Sequence, residues 1–130
     1  MPDPIVFISH FQVKEGKLDA YRKLQEDVTQ QLVDEKPWTL AFLTFLNESG
    51  TLMTAIHVFA DPEAMDIHFQ GSEERSRRAY DVLAPGGWEI YGRPSARVTE
   101  AMQEAAASAG VPLRVQGEYA GGFLRATVAG

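Results

Sequence analysis

Three stretches of this chain are apolar with no side left for water. In Ile5 to Val13 one side of an extended backbone carries Ile5, Phe7, Ser9 and Phe11, and the other Val6, Ile8 and His10. In Trp38 to Leu46, Leu40, Phe42, Thr44 and Leu46 alternate with Ala41, Leu43 and Phe45. Leu52 to Phe59 is rich in β-favouring residues and holds no breaker. Side chains alternate along a strand, so a sheet built from these stretches needs cover front and back.

The connections predict how that sheet is wound. Lys14-Glu15-Gly16-Lys17 is a turn. Leu18, Tyr21, Leu24 or Gln25, Val28 and Leu32 then recur at helical spacing, opposite Asp19, Arg22, Glu26 and Gln30, and Pro37 ends the helix after Glu35. Asn47-Glu48-Ser49-Gly50 closes a hairpin onto Thr51 to Phe59. Asp61 is a suitable N-cap, Pro62 fits a first helical turn, and Glu63 suits the positive helix end. The helix from Pro62 to Gln70 is interrupted at Gly71-Ser72. A second helical stretch from Ser72 through Leu83 is expected to turn Ala79, Tyr80 and Leu83 inward and to stop at Pro85-Gly86-Gly87. Trp88 to Arg93 reads as the fourth strand.

Strand, helix, strand, strand, helix, strand is the order of a ferredoxin-like α+β unit: a four-stranded antiparallel sheet with both helices on one face. The helices cover one face only. A homodimer packed through the other face is therefore expected. Residues 1–94 form this domain, and residues 95–130 extend it. Ser95 to Ala109 reads as a helix stopped by Gly110, and Leu113 to Tyr119 alternates like a strand. Ala120-Gly121-Gly122 permits a bend, and Phe123 to Val128 reads as a returning strand. Such an arm packs on its own domain or on the dimer partner; the alternative is a frayed tail.

Composition excludes several roles. A net charge of −6 over 130 residues argues against nucleic acid or an anionic membrane as partner. Arg75, Arg77 and Arg78 share their stretch with Glu73 and Glu74 and read as a solvated helix face. Cysteine is absent, which removes disulfides and thiolate chemistry. Met1-Pro2-Asp3-Pro4 has no signal-peptide pattern and no apolar run reaches membrane-span length, so a cytoplasmic location is expected. His57 and His68 stand outside any compact ligand motif, so no metal is expected.

Residues 5 to 93 resemble the dimeric α/β-barrel superfamily and, within it, the antibiotic biosynthesis monooxygenase family. The resemblance rests on a first strand running through Glu15-Gly16-Lys17 into a long amphipathic helix. It rests also on a third strand ending at Phe59, followed by Asp61, Glu63-Ala64 and then His68 on the next helix. It implies a dimer whose sheets pack face to face and a pocket in each subunit between sheet and helices. Several members oxidise aromatic polyketides with oxygen and without metal, flavin or haem; others degrade haem, isomerise small metabolites or have no known activity. The haem-degrading branch carries Asn where Ser9 stands, Trp where His68 stands and an iron-ligating His where Arg78 stands, so haem degradation is not implied. Many relatives have Glu where His57 stands.

The resemblance places His68 at the pocket, where a neutral imidazole could exchange a proton near neutral pH. A buried histidine bonded to a sheet carbonyl is the alternative. His57 shares a strand face with Met53, Ala55 and Phe59, and alternation alone does not say whether that face meets the helices. Ser9 could hydrogen-bond a ligand. If Ser9 faces the pocket, His10 faces away from it. Tyr80, Trp88 and Tyr91 could stack on a flat ligand and orient a phenol or quinone, or could simply be core. The resemblance and these residues imply a cofactor-independent monooxygenase acting on a small aromatic or quinol-like metabolite, with His68 as base and Ser9, His57, Tyr80, Trp88 and Tyr91 binding the substrate. A non-catalytic ligand-binding or stress-response dimer is the alternative.

Overall fold

The computed structural model describes residues 3–125. In chain order they form β1 (Ile5–Val13), α1 (Leu18–Glu35), β2 (Thr39–Leu46), β3 (Leu52–Phe59), α2 (Pro62–Phe69), α3 (Ser72–Ala79), β4 (Leu83–Tyr91), α4 (Ala96–Ala109) and β5 (Leu113–Gln116). The strands make one sheet in the order β2-β3-β1-β4-β5. β1 pairs antiparallel with β3 and β4, and β2 pairs antiparallel with β3. These four strands and the helices between them are the expected ferredoxin-like winding.

The sheet is larger than the expected four antiparallel strands. β5 adds a fifth at the β4 edge and runs parallel to β4, with α4 as the crossover between them. A parallel neighbour requires such a crossover, whereas a hairpin would have made β5 antiparallel. Residues 117–125 form no strand, so the alternating pattern stops pairing after Gln116. The expected return strand lies partly in this irregular segment and partly outside the described residues.

The fourth strand also begins earlier than its composition suggests. β4 runs straight through Pro85-Gly86-Gly87, which reads as a stop in sequence. His10 pairs with Gly87 and Phe11 with Pro85, so Gly86 is an extra residue on β4, a β-bulge. Gly87 has φ +137, and a Cβ there would lie 3.2 Å from the Pro112 carbonyl. Two glycines therefore let the strand kink and let the approach to β5 come close, instead of ending the strand. Correspondingly, α3 ends at Ala79 rather than near Leu83.

Register decides the two faces. Ile5, Phe7, Ser9 and Phe11 pair across to Phe59, His57, Ala55 and Met53, and these sit under the helices. Val6, Ile8, Thr54, Ile56 and Val58 take the other face. There Leu43 is 50% exposed, Phe45 57% and Leu52 51%. All the helices of the described residues lie on the first side, so among these residues the second face has no helical cover.

The core beneath the helices is in two parts. One cluster joins Ile5, Phe7, Phe59, Trp88 and Ile90 to Met65 of α2 and to Val98, Met102 and Ala106 of α4. The other joins Tyr21 of α1 to Met53, Ala55, Val82 and Leu83. Ser95 caps α4 through its side chain, which accepts from Val98 N at 3.2 Å, and Gly110 closes it in the left-handed conformation. The C-terminal helix is thus part of the same core as β1. No helix among the described residues is long and apolar enough to cross a membrane.

Candidate functional site

Between the two core clusters lies a cavity of about 640 Å³. Its floor is the helix-facing side of β1, β3 and β4, and its walls come from α1, α3 and α4. Most of the lining is apolar, including Phe7, Phe11, Phe42, Met53, Trp88 and Met102. The volume is in the range of small-molecule sites. Trp88 is buried and meets Phe11 edge-on, with ring centres 6.4 Å apart.

Two histidines reach the cavity from different elements. His57 is in β3, on the face that pairs across Phe7 and Phe42. His68 lies in the last turn of α2. The start of α2 is set by Asp61, whose side chain accepts from Ala64 N at 2.8 Å, with Pro62 in the first turn. The helix then rotates Ala64, Met65 and His68 inward. The rings of His57 and His68 meet edge to face, 4.9 Å between centres. Phe7, Phe42 and Phe59 enclose His57, at 5.2, 4.9 and 6.0 Å.

Both rings are neutral at pH 7. Burial pushes the His57 imidazolium down to about 4, against a weak opposing pull from the Phe7 carbonyl. Burial also holds His68 far below the usual imidazole range, and a positive His57, Arg75 or Lys36 would depress it further. The cause is general: apolar surroundings disfavour the charged form.

The two cations have a structural task. Lys36 Nζ donates to the carbonyls of Ile67 and Gln70 at 2.8 and 2.9 Å, and Arg75 Nη2 donates to the His68 carbonyl at 2.5 Å. These carbonyls are the negative end of α2, which has no glycine cap. The pair closes the helix end and anchors the backbone of His68. Arg75 thus has a specific role within the stretch that reads as a solvated face.

Each ring is tethered at Nδ1. His57 Nδ1 donates to the Phe7 carbonyl at 3.4 Å. His68 Nδ1 lies 2.8 Å from Thr39 Oγ1. Thr39 opens β2 and pairs with Phe59, which brings its hydroxyl alongside α2. Nothing in the sequence links positions 39 and 68; only strand register does.

Of the residues singled out from sequence, the structure brings Ser9, His57, His68, Tyr80 and Trp88 to the cavity wall. It does not bring Tyr91. Tyr91 pairs across from Val6 on the open face, where its hydroxyl donates to Glu89 Oε1 at 2.6 Å. Trp88 and Tyr91 stand an odd number of positions apart, so one strand cannot turn both to the same side. His10 is also on the open face, with Nε2 2.6 Å from Glu89 Oε2. Among the described residues no group of three His, Cys, Asp or Glu could hold a metal ion.

No family model matches the sequence. No curated protein matches it significantly. Solved structures do match. MupZ from Pseudomonas fluorescens superposes with a TM-score of 0.72 over 98% of this chain and 99% of its own, at 15% identity. SnoaB from Streptomyces nogalater, a cofactor-independent oxygenase, gives 0.59 over 72% of this chain and 95% of its own, at 11% identity. A candidate antibiotic biosynthesis monooxygenase from Caulobacter crescentus gives 0.59 over 68% and 86%, at 14% identity. At these identities the likeness is one of fold. The fold is the one shared by proteins named as antibiotic biosynthesis monooxygenases, and the match to MupZ takes in the C-terminal helix as well.

Proposed function

We propose that the protein is a cofactor-independent monooxygenase acting on a small aromatic or quinol-like metabolite. The observation that carries this reading is a pair of neutral imidazoles at the wall of an apolar cavity of about 640 Å³. Apolar walls exclude competing water, and a neutral imidazole has a lone pair that can take a proton. An electron-rich carbon acid held there loses a proton to the histidine pair, with His68 at the reacting centre. The resulting carbanion reduces oxygen directly. A ring CH2 becomes a ketone, one oxygen atom enters it, and the other leaves as water with the two hydrogens of the CH2. Ser9, Tyr80 and Trp88 position the ring system. SnoaB, which shares the fold, is itself a cofactor-independent oxygenase.

A second copy of the chain covers the open sheet face in this reading, because Leu43, Phe45 and Leu52 form an apolar surface there without helical cover.

Oxygen uptake with anthrone in metal-free buffer tests the activity. Anthraquinone should form as oxygen is consumed, and the rate should fall by roughly 100-fold or more in His68→Ala. Uptake no faster than in buffer, together with thermal stabilisation by anthrone, would make this a ligand-binding protein instead.

A further inference from the structure

We propose that the two histidines have opposite hydrogen-bonding roles toward an enolisable carbonyl ligand: His57 takes a carbon-bound proton at Nε2, while His68 presents Nε2–H to the carbonyl oxygen. Thr39 is the positioning residue that fixes this arrangement. The inference rests on the oxygenase reading for the identity of the site, and it concerns only the step before oxygen.

A carbonyl oxygen only accepts, so the contact between His57 Nδ1 and the Phe7 carbonyl places the His57 proton on Nδ1. In a neutral ring Nε2 is then a bare lone pair. The other contact differs in kind. A threonine hydroxyl can donate, and no acceptor other than His68 Nδ1 meets Thr39 Oγ1 among the described residues. With Thr39 donating, His68 Nδ1 is the acceptor and the ring proton sits on Nε2.

Both Nε2 atoms remain available. No described residue bonds to either, and the one sealed, unpartnered side-chain polar atom among the described residues is Arg78 Nε. Both rings line the cavity. A lone pair and an N–H, on rings 4.9 Å apart, therefore address the same apolar space.

This is complementary to a carbonyl compound with an acidic hydrogen on a neighbouring carbon. The C–H bond breaks and its proton moves to His57 Nε2. The electron pair moves into the new C=C bond, and the carbonyl electrons move onto oxygen. The enolate oxygen accepts from His68 Nε2–H, which is stronger once the oxygen is charged. A carboxylate ligand gains less, because it offers no proton to His57 at neutral pH. Two bases side by side would leave the enolate oxygen with no donor. Two donors would leave the proton with no acceptor.

The test has two readouts. The first is 15N NMR of the imidazole rings in the free protein at pH 7. His57 should carry its proton on Nδ1 and His68 on Nε2. Thr39→Val should shift the His68 tautomer balance, and Thr39→Ser should restore it. The second is exchange of the acidic anthrone hydrogens for deuterium in oxygen-free D2O. His57→Gln should slow exchange by roughly 100-fold, while Thr39→Val slows it less and Thr39→Ser recovers it. A His57 ring protonated on Nε2, or a His68 tautomer indifferent to Thr39→Val, overturns the assignment. So does exchange at the native rate in a folded His57→Gln variant. Exchange that obeys these expectations without any oxygen uptake would instead overturn the oxygenase reading and leave this one standing.

Discussion

Two buried imidazoles make a measurable demand on stability. In the unfolded chain each histidine titrates near pH 6.5, and in the native fold both stay neutral well below that. The unfolded state therefore binds more protons than the native state as pH falls below about 6.5, and stability drops with it. The stabilising difference is complete above that pH and is lost progressively toward the native value, about 4 for His57. Between pH 7 and pH 5 the loss should be about 2 kcal/mol for each histidine, before most carboxylates titrate. Urea unfolding at the two pH values checks this. A His57→Gln, His68→Gln double variant that loses as much as the native chain would show that the rings are not the cause. At this scale the structure places His68 and His57 on the cavity wall, although strand alternation alone left the face of His57 open. The sequence was not readable where a partner comes from another element, as with Thr39. Tyr91 is a different case, since strand parity from Trp88 already turns it away.

Among the elements, β4 shows how a local rule gives way to tertiary contacts. Pro85-Gly86-Gly87 is a strong stop signal by composition, yet the strand continues through it. The neighbouring β1 supplies a ladder on one side and the approach to β5 closes the other, with Trp88 N donating to the Pro112 carbonyl at 3.0 Å. Glycine there permits the bulge that sets which side Trp88 faces, and Trp88 lines the cavity. Gly87→Ala places a side chain at φ +137, 3.2 Å from that carbonyl. It should cost on the order of 1–3 kcal/mol in urea unfolding, with a change in Trp88 fluorescence. An unchanged midpoint and spectrum would mean that the strand tolerates the residue and that the bulge does not aim Trp88. The start of α2 and both ends of α4 were legible for a simpler reason: Asp61, Pro62, Ser95 and Gly110 act on their own neighbours.

For the whole molecule, the expectation of a sheet apolar on both sides matches the described residues, with helices on one face and Leu43, Phe45 and Leu52 open on the other. If a second copy covers that face, Phe45→Glu should convert a dimer to a monomer in sedimentation equilibrium, because each interface would bury two uncompensated carboxylates. A native chain that sediments as a monomer would remove the proposed cover. The winding of the first four strands followed from hydrophobic period and turn residues alone. The alternation from Leu113 also predicted a strand, but not its place in the sheet, because alternation cannot specify a parallel neighbour. The place of α4 carries a consequence for the birth of the protein. Val98, Met102 and Ala106 are buried against Ile5, Phe59 and Ile90, residues from near the start of the chain and from its middle. Burying Val98 and Met102 contributes roughly 1.5–3 kcal/mol each, a large part of what holds a domain of this size together. A nascent chain on the ribosome thus carries part of its greasy interior uncovered until Ala106 has cleared the exit tunnel.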